Sequence, residues 1–153
     1  MAIEIERKFL LKSAAWRADV SRSQRMQQAY LGGTNCSTRV RIAGLQAFFN
    51  IKSRELGVQR QEFEYPLPLK DAEALMLLAE NTGIDKTRHY VKIDRYTFEI
   101  DEFLGANLGL IVAELELDKA EDDYPKPEWL GVEVTDDARY YNSNLVDKPY
   151  SFW

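Results

Sequence analysis

Charged and apolar residues alternate from the start of the chain. Glu4, Glu6 and Lys8 fall on one parity, and Ile5, Arg7 and Phe9 on the other. In an extended chain alternate side chains share a face, so two carboxylates and an ammonium stand in one row. The same period-2 test predicts strands at about Ile3–Leu11, Arg25–Leu31, Cys36–Ile42, Leu45–Lys52, Val58–Leu67, Lys86–Ile93, Tyr96–Phe103 and Ile111–Asp118. Turn signals separate several of them: "GGTN" at Gly32–Asn35, Ala43-Gly44, and "LGANLG" at Leu104–Gly109. One helix is predicted within "LKDAEALMLLAENTG", with Asp71 as N-cap, Leu75, Leu78 and Ala79 on its apolar face and Gly83 as its stop. A short helix is expected around Ser13–Val20, and a third from Asp137 to about Val146, after the Pro125–Pro127 loop. Many strands with few helices predict a mainly β, α+β fold. The sheet is antiparallel and long enough to close into an eight-stranded barrel.

The charged rows recur in strand after strand. Arg39 and Arg41 oppose Val40 and Ile42; Lys52 and Asn50 oppose Phe49 and Ile51. Arg60, Glu62 and Glu64 oppose Gln61, Phe63 and Tyr65; Lys86, Arg88 and Lys92 align. Glu99 and Asp101 oppose Phe98 and Ile100; Glu114 and Glu116 oppose Ala113, Leu115 and Leu117. A solvated sheet face would carry more Thr, Ser and Gln. Like charges two apart on one face repel unless a counterion or ligand sits between them. Acidic pairs suggest a cation and basic pairs a polyanion. The charged faces are therefore expected to line a central cavity, with the apolar faces turned outward against helices.

Composition narrows the chemistry. A chain of 153 residues is read as one domain, residues 1–153, large enough for a true core. No apolar run reaches membrane-spanning length, and no basic stretch followed by an apolar one marks a signal peptide. Cys36 is alone, so no internal disulfide forms, and a reducing cytoplasmic location is expected. The formal net charge of −5 argues against general nucleic-acid binding. His89 is the single histidine, which excludes a His-rich metal site; its parity is opposite to Lys86 and Arg88, so it is expected to face outward. Neither G-x-x-x-x-G-K-[ST] nor G-x-G-x-x-G occurs, so phosphate chemistry would rely on side chains.

Glu4-Ile5-Glu6-Arg7-Lys8 resembles the E-x-E-x-K signature of the CYTH superfamily, the triphosphate tunnel metalloenzymes. The resemblance continues through "AYL" with Tyr30, "RVR" with Arg39 and Arg41, "IK" with Lys52, and "RQEFEY" with Glu62 and Glu64. It extends over "KTR" with Lys86 and Arg88, "FEIDEF" with Asp101, "AELEL" with Glu114 and Glu116, and a closing "GVEVTDDARYYNSNLV". It implies a closed eight-stranded antiparallel barrel around a charged tunnel that binds a triphosphate compound with a divalent metal. The chain is most similar to the short bacterial tripolyphosphatase type.

The residue chemistry suits that role. Triphosphate carries about four to five negative charges near neutral pH. Lys8, Arg39, Arg41, Lys52, Lys86 and Arg88, with Arg60 in addition, supply matching cations. Arginine forks hold phosphate oxygens bidentately, and lysine acts as a point charge. Glu4, Glu6 and Glu116, then Glu114 and Asp101, are the expected ligands for Mg²⁺ or Mn²⁺, hard cations that take oxygen donors. The catalytic set is read as Glu4, Glu6, Lys8, Lys86, Glu114 and Glu116. Glu62 and Glu64 either hold neighbouring cations in place or meet the metal or water directly; Tyr30 either donates to a phosphate oxygen or fills a tunnel end. The expected reaction is hydrolysis of a terminal phosphoanhydride of inorganic tripolyphosphate or another triphosphate compound. Adenylyl cyclase, thiamine triphosphatase and a non-enzymatic polyphosphate or nucleotide binder are the alternatives. Monomer and homodimer are both open.

Overall fold

The computed structural model describes residues 3–153. Nine strands form one sheet in the order β5-β4-β3-β2-β6-β7-β8-β1-β9, and a further β1–β5 pairing closes the first eight into an antiparallel barrel. They are β1 (Ile3–Leu11), β2 (Val20–Gly32), β3 (Cys36–Ala43), β4 (Gln46–Ser53), β5 (Gln59–Leu67), β6 (Ile84–Ile93), β7 (Tyr96–Phe103), β8 (Ile111–Glu116) and β9 (Leu130–Glu133). The helices are α1 (Leu69–Leu78) and α2 (Asn142–Asp147), with single 3-10 turns between other elements. No described helix is long and apolar enough to cross a membrane.

The expected barrel is present, and the differences have local causes. Arg25 was the expected start of β2, yet the strand begins at Val20. Its polar first half has no apolar alternation to announce it. It is held by pairing with β6 and by side-chain bonds, Ser21 to the Tyr90 carbonyl and Arg25 to Asp85. The short helix expected over Ser13–Val20 is a 3-10 turn, Ala15–Asp19, and it drops Trp16 into the core at 1% exposure. Pro68, not Asp71, stands at the N-cap of α1, and Asp71 lies in the first turn, where a carboxylate suits the helix dipole. That helix stops at Leu78, before Gly83. Asn81 turns the chain by donating to the Tyr30 carbonyl and accepting from the Gly83 N–H, a side-chain competitor to helical bonding. Gly83 has φ +71° and presses on the Gln28 carbonyl, where a Cβ would collide. The third expected helix divides into a 3-10 turn, Ala138–Tyr140, and α2, with Asp137 accepting from the Arg139 N–H at 3.1 Å. β9 has only four residues, too few for a period test, and extends the sheet beside β1.

The core has three parts. On one outer flank Phe9, Val91, Phe98, Ile100 and Leu115 pack under Trp16 and Trp129. On the other, Ala72, Leu75 and Met76 of α1 cover Ala29, Val40 and Ala47. Leu77 and Leu78 of the same helix face solvent. The third cluster joins Ile84, Phe103, Leu110 and Val112 to Tyr140 and Leu145. Ile84 shares parity with Lys86, Phe103 with Asp101, and Val112 with Glu114. The third cluster therefore continues the inner rows, and α2 plugs that side of one barrel end.

Candidate active site

Directly opposed residues on antiparallel strands point to the same face, so the register fixes which side chains meet inside. Going round the barrel, Arg60 opposes Glu4, Glu6 opposes Glu116, and Lys8 opposes Glu114. Glu99 opposes Glu114, Arg88 opposes Asp101, and Lys86 opposes Phe103. Gln28 opposes Arg41, Tyr30 opposes Arg39, Arg39 opposes Asn50, and Lys52 opposes Glu62. Glu4, Lys8, Arg39, Lys86, Arg88, Asp101 and Glu114 are buried; Glu6, Tyr30, Arg41, Lys52, Arg60 and Glu62 are partly so. Glu64 and Glu116, at the far ends of their rows, are exposed, as is Lys92. His89 lies outside the barrel, bonded to Ser23 and Glu102 and in tilted ring contact with Trp16.

The basic groups divide by their partners. Lys86 Nζ lies 2.7 Å from Asp101 Oδ2, and both side chains are fully buried. Arg88 forks onto the same carboxylate at 2.8 and 2.9 Å and reaches Glu99 at 2.6 Å and Glu114 at 3.4 Å. Lys52 bridges Glu4 at 3.0 Å and Glu62 at 3.3 Å. Lys8, Arg39, Arg41 and Arg60 have no carboxylate within ion-pair distance among the described residues. Lys8 Nζ reaches only the Tyr140 carbonyl, at 3.5 Å. Arg41 donates to Gln28 Oε1 at 2.9 Å, and Gln28 in turn donates to the Tyr30 hydroxyl at 3.0 Å. The Nε atoms of Arg39 and Arg60 are buried without a hydrogen-bond partner among the described residues. Burying a guanidinium edge unpaired is unfavourable, and an anionic ligand removes that penalty.

Titration follows from this crowding. Burial pushes the Lys86 ammonium down to about 7, against the pull of an Asp101 already shared with Arg88. Burial, with Arg39 and Arg88 nearby, lowers Arg41 to about 10. Burial, then the charges of Glu114 and Glu4, hold the Glu6 carboxyl well above its usual range. Glu4 is raised by burial, with Lys52 only partly offsetting it. Glu116 is raised by burial and by Glu4, Glu99 and Glu62. Glu114 goes the other way: burial opposes its charge, but Lys8 and Arg88 carry it well below the ordinary value.

The acidic side is therefore short of positive charge where β1 meets β8. The charge of Glu114 raises Glu6, and Glu6 opposes Glu116 in register. Among the described residues no three acidic, cysteine or histidine side chains converge as a ready-made metal cage. The donor set still fits a hard divalent cation: Glu4, Glu6, Glu114 and Glu116 offer carboxylate oxygens, and three of them are forced toward protonation without added charge. Asp101, expected among the ligands, has both oxygens occupied by Lys86 and Arg88. Glu62 meets Lys52 and Asn50, and Glu64 meets Asn50.

Sequence reasoning passed over Gln28, Glu99 and Tyr141 as site residues. Gln28 is fully buried and shares the parity of Tyr30, a signal that was available. Glu99 stood in a noted row. Tyr141 follows a 3-10 turn outside any strand period, and its ring lies under both Lys8 and Arg60.

Comparison with known proteins gives a consistent result. A family model for the CYTH domain matches residues 2–148. An inorganic triphosphatase of Acetivibrio thermocellus is 39% identical over 152 residues, covering 98% of this chain and 97% of that protein. One from Nitrosomonas europaea is 35% identical over 148 residues, covering 94% and 96%. A crystal structure of an inorganic triphosphatase superposes with a TM-score of 0.67 at 33% identity, over 94% of this chain and 97% of that one.

Proposed function

The chain belongs to the CYTH domain family, and from that premise we propose that it hydrolyses inorganic tripolyphosphate to pyrophosphate and orthophosphate. One observation carries the reading: among the described residues, Lys8, Arg39, Arg41 and Arg60 line the inside of a closed barrel with no carboxylate within ion-pair distance. A polyanion is what such a surface lacks. The relatives named inorganic triphosphatase support the same substrate class.

Lys8, Arg39, Arg41 and Arg60 bind the phosphate oxygens, the guanidinium groups bidentately. Asp101 holds Lys86 and Arg88 in place, so both reach the substrate from fixed positions. Gln28 sets the orientation of Arg41. Glu4, Glu6, Glu114 and Glu116 are the residues that would hold Mg²⁺ or Mn²⁺. When bound, such a cation supplies Lewis-acid polarisation of phosphate oxygens and neutralises charge as the terminal P–O bond breaks. A carboxylate of this set orients the attacking water. Glu62 and Glu64 support Lys52 and Asn50.

The test is orthophosphate release from tripolyphosphate and from ATP in Mg²⁺, Mn²⁺ and chelator, with cyclic AMP measured in parallel. Metal-dependent release from tripolyphosphate is expected. Abundant cyclic AMP without phosphate release would overturn the assignment, and tight binding without turnover in either metal would make the protein a binder.

A further inference from the structure

The α2 end of the barrel is sealed on one side only. Beneath β6, β7 and β8 the apolar plug of Phe103, Leu110 and Leu145 fills the interior. Beneath β3, β4 and β5 the inner rows run on. Ser37 continues the row of Arg41 and Arg39, opposite Lys52, and Arg60 continues that of Glu64 and Glu62. Together they reach a cavity of about 140 Å³ lined by Ser37, Ser53, Arg54, Arg60, Tyr141 and Ser143. Among the described residues, Glu55 is the one carboxylate on its lining.

The cavity has the chemistry of a small anion site. Arg54 and Arg60 line it with the hydroxyl side chains of Ser37, Ser53 and Ser143; Arg54 Nε donates to the Cys36 carbonyl at 3.1 Å, and Ser53 Oγ accepts from the Gln61 N–H at 2.9 Å. Arg60 Nε is buried without a partner, and its NH2 group reaches only the Gly57 carbonyl at a long 3.4 Å. Tyr141 stands between this cavity and the tunnel. Its ring centroid is 5.0 Å from Arg60 and 5.5 Å from Lys8, and its hydroxyl is fixed by donating to the Thr135 carbonyl at 2.6 Å. A volume near 140 Å³ holds about five water-sized groups, enough for one tetrahedral oxyanion. Beyond it, a neighbouring cavity of about 340 Å³ shares Arg54 and Ser143 but carries Glu80 and Asp147.

We propose that this cavity is an orthophosphate site and the port through which cleaved phosphate leaves the tunnel. The oxyanion site stands on the port's own geometry; only the direction of traffic rests on the tripolyphosphate reading. Binding is tested by ³¹P NMR with orthophosphate on the whole protein in chelator, comparing the parent with the Arg54 variants. Arg54→Glu should weaken orthophosphate binding at least about tenfold, a change of about 1.4 kcal/mol, and leave the tripolyphosphate KM within about twofold. Arg54→Gln, which keeps most of the bulk, should give an intermediate loss, and melting midpoints would confirm that both variants fold. Traffic is tested by Ser143→Trp, which narrows the port. It should lower steady-state turnover while single-turnover cleavage keeps its rate. Unchanged orthophosphate binding in both Arg54 variants overturns the site, and steady-state and single-turnover rates that fall together, or both stay unchanged, overturn the exit role. Arg54-dependent phosphate binding in a protein that never cleaves tripolyphosphate would sink the hydrolase assignment alone.

Discussion

Asp101→Asn removes the carboxylate that two buried cations share. Lys86 and Asp101 are fully buried at 2.7 Å, and Arg88, 8% exposed, places two more bonds on the same group. Neutralising Asp101 leaves Lys86 with no counterion, while Arg88 keeps Glu99 and Glu114. Breaking a buried pair from one side costs about 3–5 kcal/mol. At about 2–4 °C per kcal/mol for a chain of this size, the melting midpoint should fall by roughly 6–20 °C. The reverse deletion, Lys86→Met, is different. Asp101 keeps the Arg88 fork, and an ammonium that burial has already pushed down to about 7 is removed, so the loss should stay within about 1 kcal/mol. The assay is urea and thermal unfolding of the metal-free proteins, with tripolyphosphate added in a second series. Tripolyphosphate should recover more stability in Asp101→Asn than in the parent, because it supplies the missing negative charge. The reasoning is refuted if Asp101→Asn lies within about 1 kcal/mol of the parent, or if Lys86→Met is the more damaging change.

Three further outcomes are expected. Glu4→Gln or Glu6→Gln should lower turnover strongly and raise the metal requirement, because an amide is a poorer ligand for a hard cation; Arg39→Ala or Arg41→Ala should chiefly raise the tripolyphosphate KM. Separate titrations of metal and substrate check this division, and identical metal dependence in both classes would refute it. The metal-free protein should lose stability as pH rises above 4.5, through the raised folded values of its buried carboxyls. Glu4, Glu6 and Glu116 titrate above their ordinary value of 4.5 when folded, so their contribution is full below 4.5 and is lost as pH rises through the folded values. Glu114 and Glu62, both lowered, contribute above 4.5 and lose that contribution only in more acid solution. Melting curves across that range check the sign, and stability that rises steadily with pH would contradict it. Finally, tripolyphosphate should raise the melting midpoint much more with Mg²⁺ or Mn²⁺ than with chelator, through mass action on the native state; equal shifts would show that the basic side chains capture substrate unaided.

The barrel and most of its lining were legible because one physical rule governs both. A period-2 pattern sets the face, and closure makes one face an interior, so parity alone placed Glu4, Lys8, Arg39, Lys86, Arg88, Asp101 and Glu114 among the buried residues. Parity says nothing of partners. That Asp101 is saturated by cations while Arg39 keeps a bare Nε depends on register and shear, which no single strand encodes. Nor does it report depth along a row: Lys92 aligns with Arg88 yet is exposed at the row's end. Elements without a period were the least readable. The first half of β2 takes its form from β6, β9 is too short to test, and Tyr141 is placed by a 3-10 turn.

The same partition explains how an acidic chain can hold a polyanion. Glu73, Glu80, Glu121, Asp123 and Asp136 are exposed, and solution ions screen such charges over roughly 8 Å. What a ligand inside the barrel meets is the inner set. There Lys52, Lys86 and Arg88 are already neutralised by Glu4, Glu62, Asp101, Glu99 and Glu114. Among the described residues, the remainder without an ion-pair partner is basic at Lys8, Arg39, Arg41 and Arg60, and acidic at Glu6 and Glu116. Two opposed deficits in one cavity call for two ligands of opposite sign. A divalent cation at the carboxylates would make the interior positive overall and would strengthen anion binding at the arginines. Each ligand alone leaves the other deficit exposed, so metal and triphosphate should bind with positive coupling, and by linkage each should raise the affinity of the other by the same factor.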